Sequence, residues 1–209
     1  MRVLFISDVY FPRINGVSTS IATFREDLAA VGVETVLVVP EYAARGTADD
    51  AGVIRVRSGP VPRDPEDRRM HWGALQQTLQ DLSTQKFDLV HVHTPFLAHY
   101  AGVRYARARG IPVVETYHTF FEEYLHHYVP LLPRMLGRRL ARGVTRSQCA
   151  DVNALIAPSQ PMQAMLVDYG VRTPIEVIPT GLPALSFSTR TCRSLPPMLS
   201  MARSTRRGP

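Results

Sequence analysis

The chain has 209 residues, 45% hydrophobic and 20% charged, with a formal net charge of +6. That length buries a substantial core, and the balance is that of a soluble globular protein rather than a disordered or fibrous one. No apolar run reaches the ~20 residues of a membrane span, and the apolar stretch after Arg2 is too short for a signal peptide.

Cys149 and Cys192 lie far apart without metal-ligand spacing, which fits a reducing cytoplasm and no metal site. The positive charge is unevenly placed. Arg190, Arg193, Arg203, Arg206 and Arg207 all follow Pro183, with no acid among them. Overall basicity therefore gives no support to nucleic-acid binding.

The predicted elements alternate. Val3–Ile6 is a short apolar run suited to a buried parallel strand. A loop holding Pro12 and Asn15-Gly16 follows. Ser18 then opens a helix with Ile21, Phe24, Leu28 and Val31 at helical spacing. Strands are expected at Thr35–Val39 and Val53–Val56, then a Pro- and Arg-containing loop from Pro60 to Pro65. Glu66 to Leu82 reads as a helix on the spacing of Leu75, Leu79 and Leu82. Asp88–Val92 is a strand, Phe96–Arg109 a helix closed by Gly110, and Pro112–Glu115 a strand. Arg134–Ala150 is helical by composition. Ala154–Ala157 and Ile175–Ile178 are strands flanking a helix that starts near Pro158-Ser159 and stops at Gly170. Such alternation predicts an α/β fold, a Rossmann-like, doubly wound and mainly parallel sheet. From Pro183 onward Ser, Thr, Arg and Pro dominate without periodicity, which predicts disorder for residues 184–209.

Ligands of such folds bind at the carboxyl edge of the sheet. A strand that turns into a helix at Asn15, Gly16 and Val17 either brings backbone N–H groups to that edge as a phosphate site or is an ordinary surface turn. No G-x-G-x-x-G occurs in the loop, which disfavours a dinucleotide-binding dehydrogenase or epimerase. Tyr117-His118-Thr119 follows a central strand, so His118 can meet a hydroxyl or phosphate, act in proton transfer, or serve as a hydrogen-bonded structural histidine. His91 and His93 alternate on one strand and share a side; with no third ligand at recognisable spacing, a strand end explains them better than a metal. Glu122, Glu123 and Tyr124 lie in an aromatic and acidic run that either lines an acceptor pocket or forms ordinary surface. Arg134, Arg138 and Arg142 recur at i, i+4 and i+8, with Arg139 beside them and Leu136, Leu140 and Val144 in a second stripe. A basic amphipathic helix of this kind lies either on anionic lipid or on a core with its arginines solvated.

Taken together, FISDVYFPRINGVSTSI, DLVHVHTP, VVETYHTFFEEY, LIAPSQ and VIPTGL resemble the N-terminal domain of family 4 glycosyltransferases, retaining enzymes of the GT-B fold. The match runs from Met1 to about Leu182, and TYHTFFEEYLHHY is most similar to bacterial enzymes that glycosylate diacylglycerol or related lipids. The resemblance implies several things. Residues 1–183 form the acceptor-side domain. Asn15, Gly16 and Val17 belong to a glycine loop closing over the donor diphosphate. His118 positions the transferring sugar. Tyr117, Thr119, Glu122, Glu123 and Tyr124 face the acceptor, and Arg134, Arg138, Arg139 and Arg142 contact an anionic membrane. It implies a UDP- or GDP-hexose as donor substrate, a lipid or glycan acceptor, and neither metal nor bound cofactor. The expected location is the cytoplasm, with peripheral binding to the inner face of the plasma membrane. In the family a second Rossmann-like domain follows the IPTGL segment and binds the donor. Nothing after Leu182 resembles it, as a truncated or frameshifted frame would explain, and such a chain should be inactive alone. The alternative is a non-catalytic remnant, or a subunit pairing with a separately encoded C-terminal domain.

Overall fold

The computed structural model describes residues 1–42, 51–61, 64–118 and 134–179. Seven strands form one sheet in the order β3-β2-β1-β6-β7-β8-β9, and all six pairings are parallel. These are β1 (Arg2–Ile6), β2 (Glu34–Pro40), β3 (Val53–Val56), β6 (Leu89–Val92), β7 (Val113–Thr116), β8 (Ala154–Ala157) and β9 (Ile175–Val177). The helices are α1 (Gly16–Ala30), α2 (Trp72–Asp81), α3 (Leu97–Arg107), α4 (Arg134–Ala150) and α5 (Gln160–Asp168). The α/β, Rossmann-like sheet expected from the alternation is present.

Side-chain alternation along the strands divides the core in two. Leu4, Ile6, Val36, Val38, Val90 and Val92 point to the face packed by α2, α3 and α5. Val3, Phe5, Leu37 and Val39 point to the other face, where Ile21, Phe24 and Leu28 of α1 cover them. Burying each large aliphatic or aromatic side chain contributes about 1.5–3 kcal/mol. The two-sided burial explains why these strands read as unbroken apolar runs.

Two expectations are corrected. The first is the loop over Pro60–Pro65 together with the helix over Glu66–Leu82. Ser58–Val61 (β4) and Asp64–Met70 (β5) form an antiparallel hairpin, with Ser58 opposite Met70, and only Trp72–Asp81 is α-helical. The charges of β5 are used laterally: Arg13 pairs with Glu66 and, at 3.2 Å, with Asp67. This hairpin is fixed to the loop after β1, a contact no local pattern could announce. The second correction concerns the Asn15-Gly16 turn. Asn15 is the N-cap of α1, its side chain accepting from the Ser18 N–H at 2.8 Å, and Gly16 is already helical. The disorder expected over residues 184–209 lies outside the described residues.

Candidate active site

Because the sheet is parallel, everything that follows a strand emerges at one edge. The α1 N-terminus follows β1, His93 and Thr94 follow β6, and Tyr117 and His118 follow β7. β6 lies between β1 and β7, so the three segments are neighbours. Gly16 and His118 therefore share the carboxyl edge.

The β6–β7 register sets His91 opposite Val114 and Val92 opposite Glu115. His91, His93, Thr116 and His118 consequently face the α1 side. His91 Nε2 lies 2.8 Å from Thr116 Oγ1. His93 Nδ1 lies 3.3 Å from His118 Nε2, with the rings stacked at 5.6 Å between centroids. The His91 and His93 rings are 4.0 Å apart, and Phe5 stacks on His93 at 5.0 Å. Phe24 of α1 meets both rings. His91 and His93 are buried; His118 is half-buried.

Burial disfavours the charged form of each ring. It lowers His91 to about 3 and His118 to about 4, and holds His93 well below the usual value. The three imidazoles are neutral at physiological pH. They can donate and accept hydrogen bonds but bring no positive charge to a phosphate. A ring lowered to about 4 is also a weak base, better suited to hydrogen-bond contact than to proton abstraction.

Asp8, after β1, is the residue the sequence reasoning missed. Its carboxylate accepts from Thr94 Oγ1 at 2.7 Å and from the Ala98 N–H at 3.0 Å, in the first turn of α3. Burial raises it to about 6, against the pull of those hydrogen bonds. It locks the β1 and β6 loops together beneath the site. The D-x-x-x-P loop and the H-T-P turn are separately visible in the sequence; their contact is not.

The remaining predicted residues divide. Tyr117 does not line a pocket: its ring is buried in the core on the opposite face, its hydroxyl 3.1 Å from Thr145 of α4. Alternation on β7 requires this, since Glu115 and Tyr117 point away from Thr116 and His118. Thr119, Glu122, Glu123 and Tyr124 lie outside the described residues. Gly16 has open space at its Cβ position, and its φ is not in the left-handed region. Neither packing nor backbone strain within the described residues requires glycine there. The N–H groups of Gly16 and Val17, in the first helical turn, lack intrahelical acceptors. On α4, Arg138, Arg139 and Arg142 are exposed, while Arg134 opens the helix. Arg142 is tied to Asp168 at 3.0 Å and lies over the Tyr169 ring. Met135, Leu136 and Leu140 are 82%, 55% and 51% exposed, so apolar and basic side chains alternate on open surface. Among the described residues no group of histidine, cysteine and carboxylate side chains could hold a metal, and no helix is long and apolar enough to cross a membrane.

Residues 14–184 match the sequence profile of Glycosyltransferase Family 4. The chain belongs to glycosyltransferase family 4. It is 31% identical over 189 residues to alpha-monoglucosyldiacylglycerol synthase of Streptococcus pneumoniae, over 90% of this chain and 42% of that protein. It is 28% identical over 174 residues to a GDP-mannose-dependent alpha-mannosyltransferase of Mycobacterium tuberculosis, over 77% of this chain and 45% of that protein. This family 4 chain thus spans less than half the length of these curated relatives. In fold it is similar to sucrose-phosphate synthase of Thermosynechococcus elongatus, with a TM-score of 0.58 at 15% identity over 87% of this chain and 90% of that one.

Proposed function

We propose that this family 4 chain is the acceptor-side half of a retaining glycosyltransferase that moves a hexose from a UDP- or GDP-sugar to a hydroxyl of a membrane lipid. Diacylglycerol and phosphatidylinositol-type lipids are the acceptor classes. The donor diphosphate meets the free N–H groups of Gly16 and Val17, where the α1 dipole favours negative charge. His118 contacts the transferring sugar through a neutral ring. The departing diphosphate oxygen takes the acceptor's proton on the same face, since a ring as weakly basic as His118 is poorly suited to do so. A second domain, in the length by which the relatives exceed this chain, supplies the remaining donor contacts.

The observation that carries the lipid acceptor is the surface of α4. Met135, Leu136 and Leu140 stand exposed beside Arg138 and Arg139. Apolar side chains that insert, next to arginines that meet headgroups, are what a peripheral helix needs. The names of the relatives with lipid products agree with it.

The test has two arms. The chain is co-sedimented with neutral and with anionic vesicles, and compared with Arg138→Gln/Arg139→Gln and Leu136→Ser/Leu140→Ser variants. The C-terminal arginines are common to all, so differences belong to α4. Binding should need anionic lipid, weaken with salt as screening shortens to about 10 Å at 0.1 M, and fall in both variants. In the second arm the chain, joined to the part of the streptococcal relative beyond the matched region, is assayed for sugar transfer from several nucleotide sugars into lipid extract and onto soluble glycans. Equal vesicle binding by all variants together with transfer only to soluble acceptors would sink the lipid reading.

A further inference from the structure

We infer that His93 is a positioning residue: through its Nδ1–H it fixes the tautomer of His118, so that His118 meets its ligand as a hydrogen-bond donor through Nδ1–H. The geometry carries this. His93 Nδ1 and His118 Nε2 face one another at 3.3 Å. Two neutral imidazole nitrogens at that distance form a hydrogen bond in only two ways, one donating and the other accepting. Burial, which depresses both rings, keeps them neutral.

The far side of His93 decides between the two. His93 Nε2 is buried without a hydrogen-bond partner among the described residues. If His93 carried its proton there, a buried N–H would have no acceptor, and orphaned buried N–H groups are rarer in folded proteins than under-satisfied acceptors. The proton therefore belongs on Nδ1, donating to His118 Nε2. With Nε2 occupied as an acceptor, neutral His118 must hold its own proton on Nδ1. That nitrogen is then a donor and cannot accept.

The ring planes are held as well as the protons. Phe5 stacks on His93 with planes 13° apart, and His91 packs against it. His91 is itself tied to Thr116 on the strand that carries His118. The inner rings thus form a rigid backing for the single half-buried one. A donor at His118 selects oxygen acceptors of the ligand, a sugar hydroxyl or a phosphate oxygen, and orients their lone pairs toward it. The tautomer assignment stands on the cluster alone; the identity of its ligand as a sugar rests on the proposed glycosyl transfer.

Long-range proton–nitrogen NMR of the full chain with labelled histidine reads the tautomers directly, His118 being assigned from His118→Ala. The expected result is His118 protonated on Nδ1 with a bare Nε2, His93 protonated on Nδ1, and a nitrogen–nitrogen coupling across the bond joining them. His118 protonated on Nε2, or an even mixture of tautomers without coupling, overturns the inference. Two variants test cause. His93→Asn retains a donor near the Nδ1 position and should leave His118 unchanged. His93→Leu removes the donor and should release His118 into a mixture of tautomers; a His118 that stays wholly on Nδ1 there overturns the positioning role. Should a variant not fold, the wild-type coupling decides. A correct tautomer with no response of His118 to UDP-glucose or GDP-mannose would count against the sugar-transfer reading and leave the positioning role standing.

Discussion

His99 Nδ1 lies 3.0 Å from Glu115 Oε2, with both side chains buried, on the face of the sheet opposite the three stacked histidines. The pair joins α3 to central strand β7, one residue before the strand end that delivers His118 to the edge. Removing one partner leaves the other buried without its hydrogen bond, which costs about 1–3 kcal/mol. His99→Leu should therefore lower stability by an amount of that order. Glu115→Gln keeps a hydrogen-bonding group against the ring and should cost about 1 kcal/mol. Urea unfolding followed by circular dichroism compares them. A His99→Leu cost no larger than that of Glu115→Gln would mean the pair is not a structural tie.

Gly102 of α3 lies against the sheet where β1 and β6 meet. A Cβ placed there would stand 2.8 Å from Val92 Cγ2 and 3.3 Å from Ile6 Cδ1. Valine is stiff at χ1, so the neighbour cannot simply rotate away. Gly102→Ala gains helix propensity of up to ~1 kcal/mol but overpacks the core at about 1–3 kcal/mol. The expected net is a lower melting temperature, by a few degrees. A rise would show that α3 can lift from the sheet without penalty.

Most of the sheet was legible because a doubly wound fold writes itself as apolar runs separated by helical spacing. Val3–Ile6, Val53–Val56 and Ala154–Ala157 fall on strands within a residue of expectation. The β4–β5 hairpin was not legible. Its second strand carries Asp64, Glu66, Asp67, Arg68 and Arg69, which lack apolar alternation and owe their conformation to Arg13 and to backbone pairing. The place of His118 at the carboxyl edge was legible, because it follows a strand in a parallel sheet. The pairing of His93 with it was hidden, since alternation placed His91 and His93 on one side but only the β6–β7 register shows whose side that is. Tyr117 was misplaced for the same reason: adjacency to His118 in sequence means the opposite face on a strand.

Gly16 offers a test of the donor loop that separates fold from ligand. With an ordinary φ and open space at the Cβ position, nothing in the described residues forbids alanine. Gly16→Ala should leave the melting temperature unchanged or slightly higher, because alanine is the better helix former. A diphosphate approaching the Gly16 and Val17 N–H groups would, however, meet the added methyl. Amide shifts of Asn15 to Ser18 should respond to UDP-glucose or GDP-mannose in the wild-type chain and respond less in Gly16→Ala. A marked drop in melting temperature would assign the glycine a structural role and remove the argument for ligand approach.

The site also sets how stability depends on pH, and two effects oppose one another. His91 and His118 sit at about 3 and about 4, and His93 is well below its usual value, against 6.5 for an exposed histidine. As pH falls from 6.5 toward 4 the unfolded chain takes up protons these rings refuse, so acid destabilises the fold. Asp8 works the other way. Raised to about 6 from 3.8, it binds a proton in the folded chain before the unfolded one does. Its contribution to stability is present below about 3.8 and lost as pH rises through 6. Near pH 5.5 three histidines favour the unfolded state on acidification and one aspartate favours the folded. The net loss is of order 3 kcal/mol per pH unit. Asp8→Asn removes the opposing aspartate while leaving an acceptor for Thr94 and Ala98. Its stability should therefore fall more steeply with acid than the wild type's, by about 1 kcal/mol per pH unit. Urea unfolding at pH 7, 6 and 5 measures both slopes. Equal slopes in Asp8→Asn and the wild type would mean that Asp8 is held ionised in the folded chain by its hydrogen bonds, and that burial does not dominate at the end of β1.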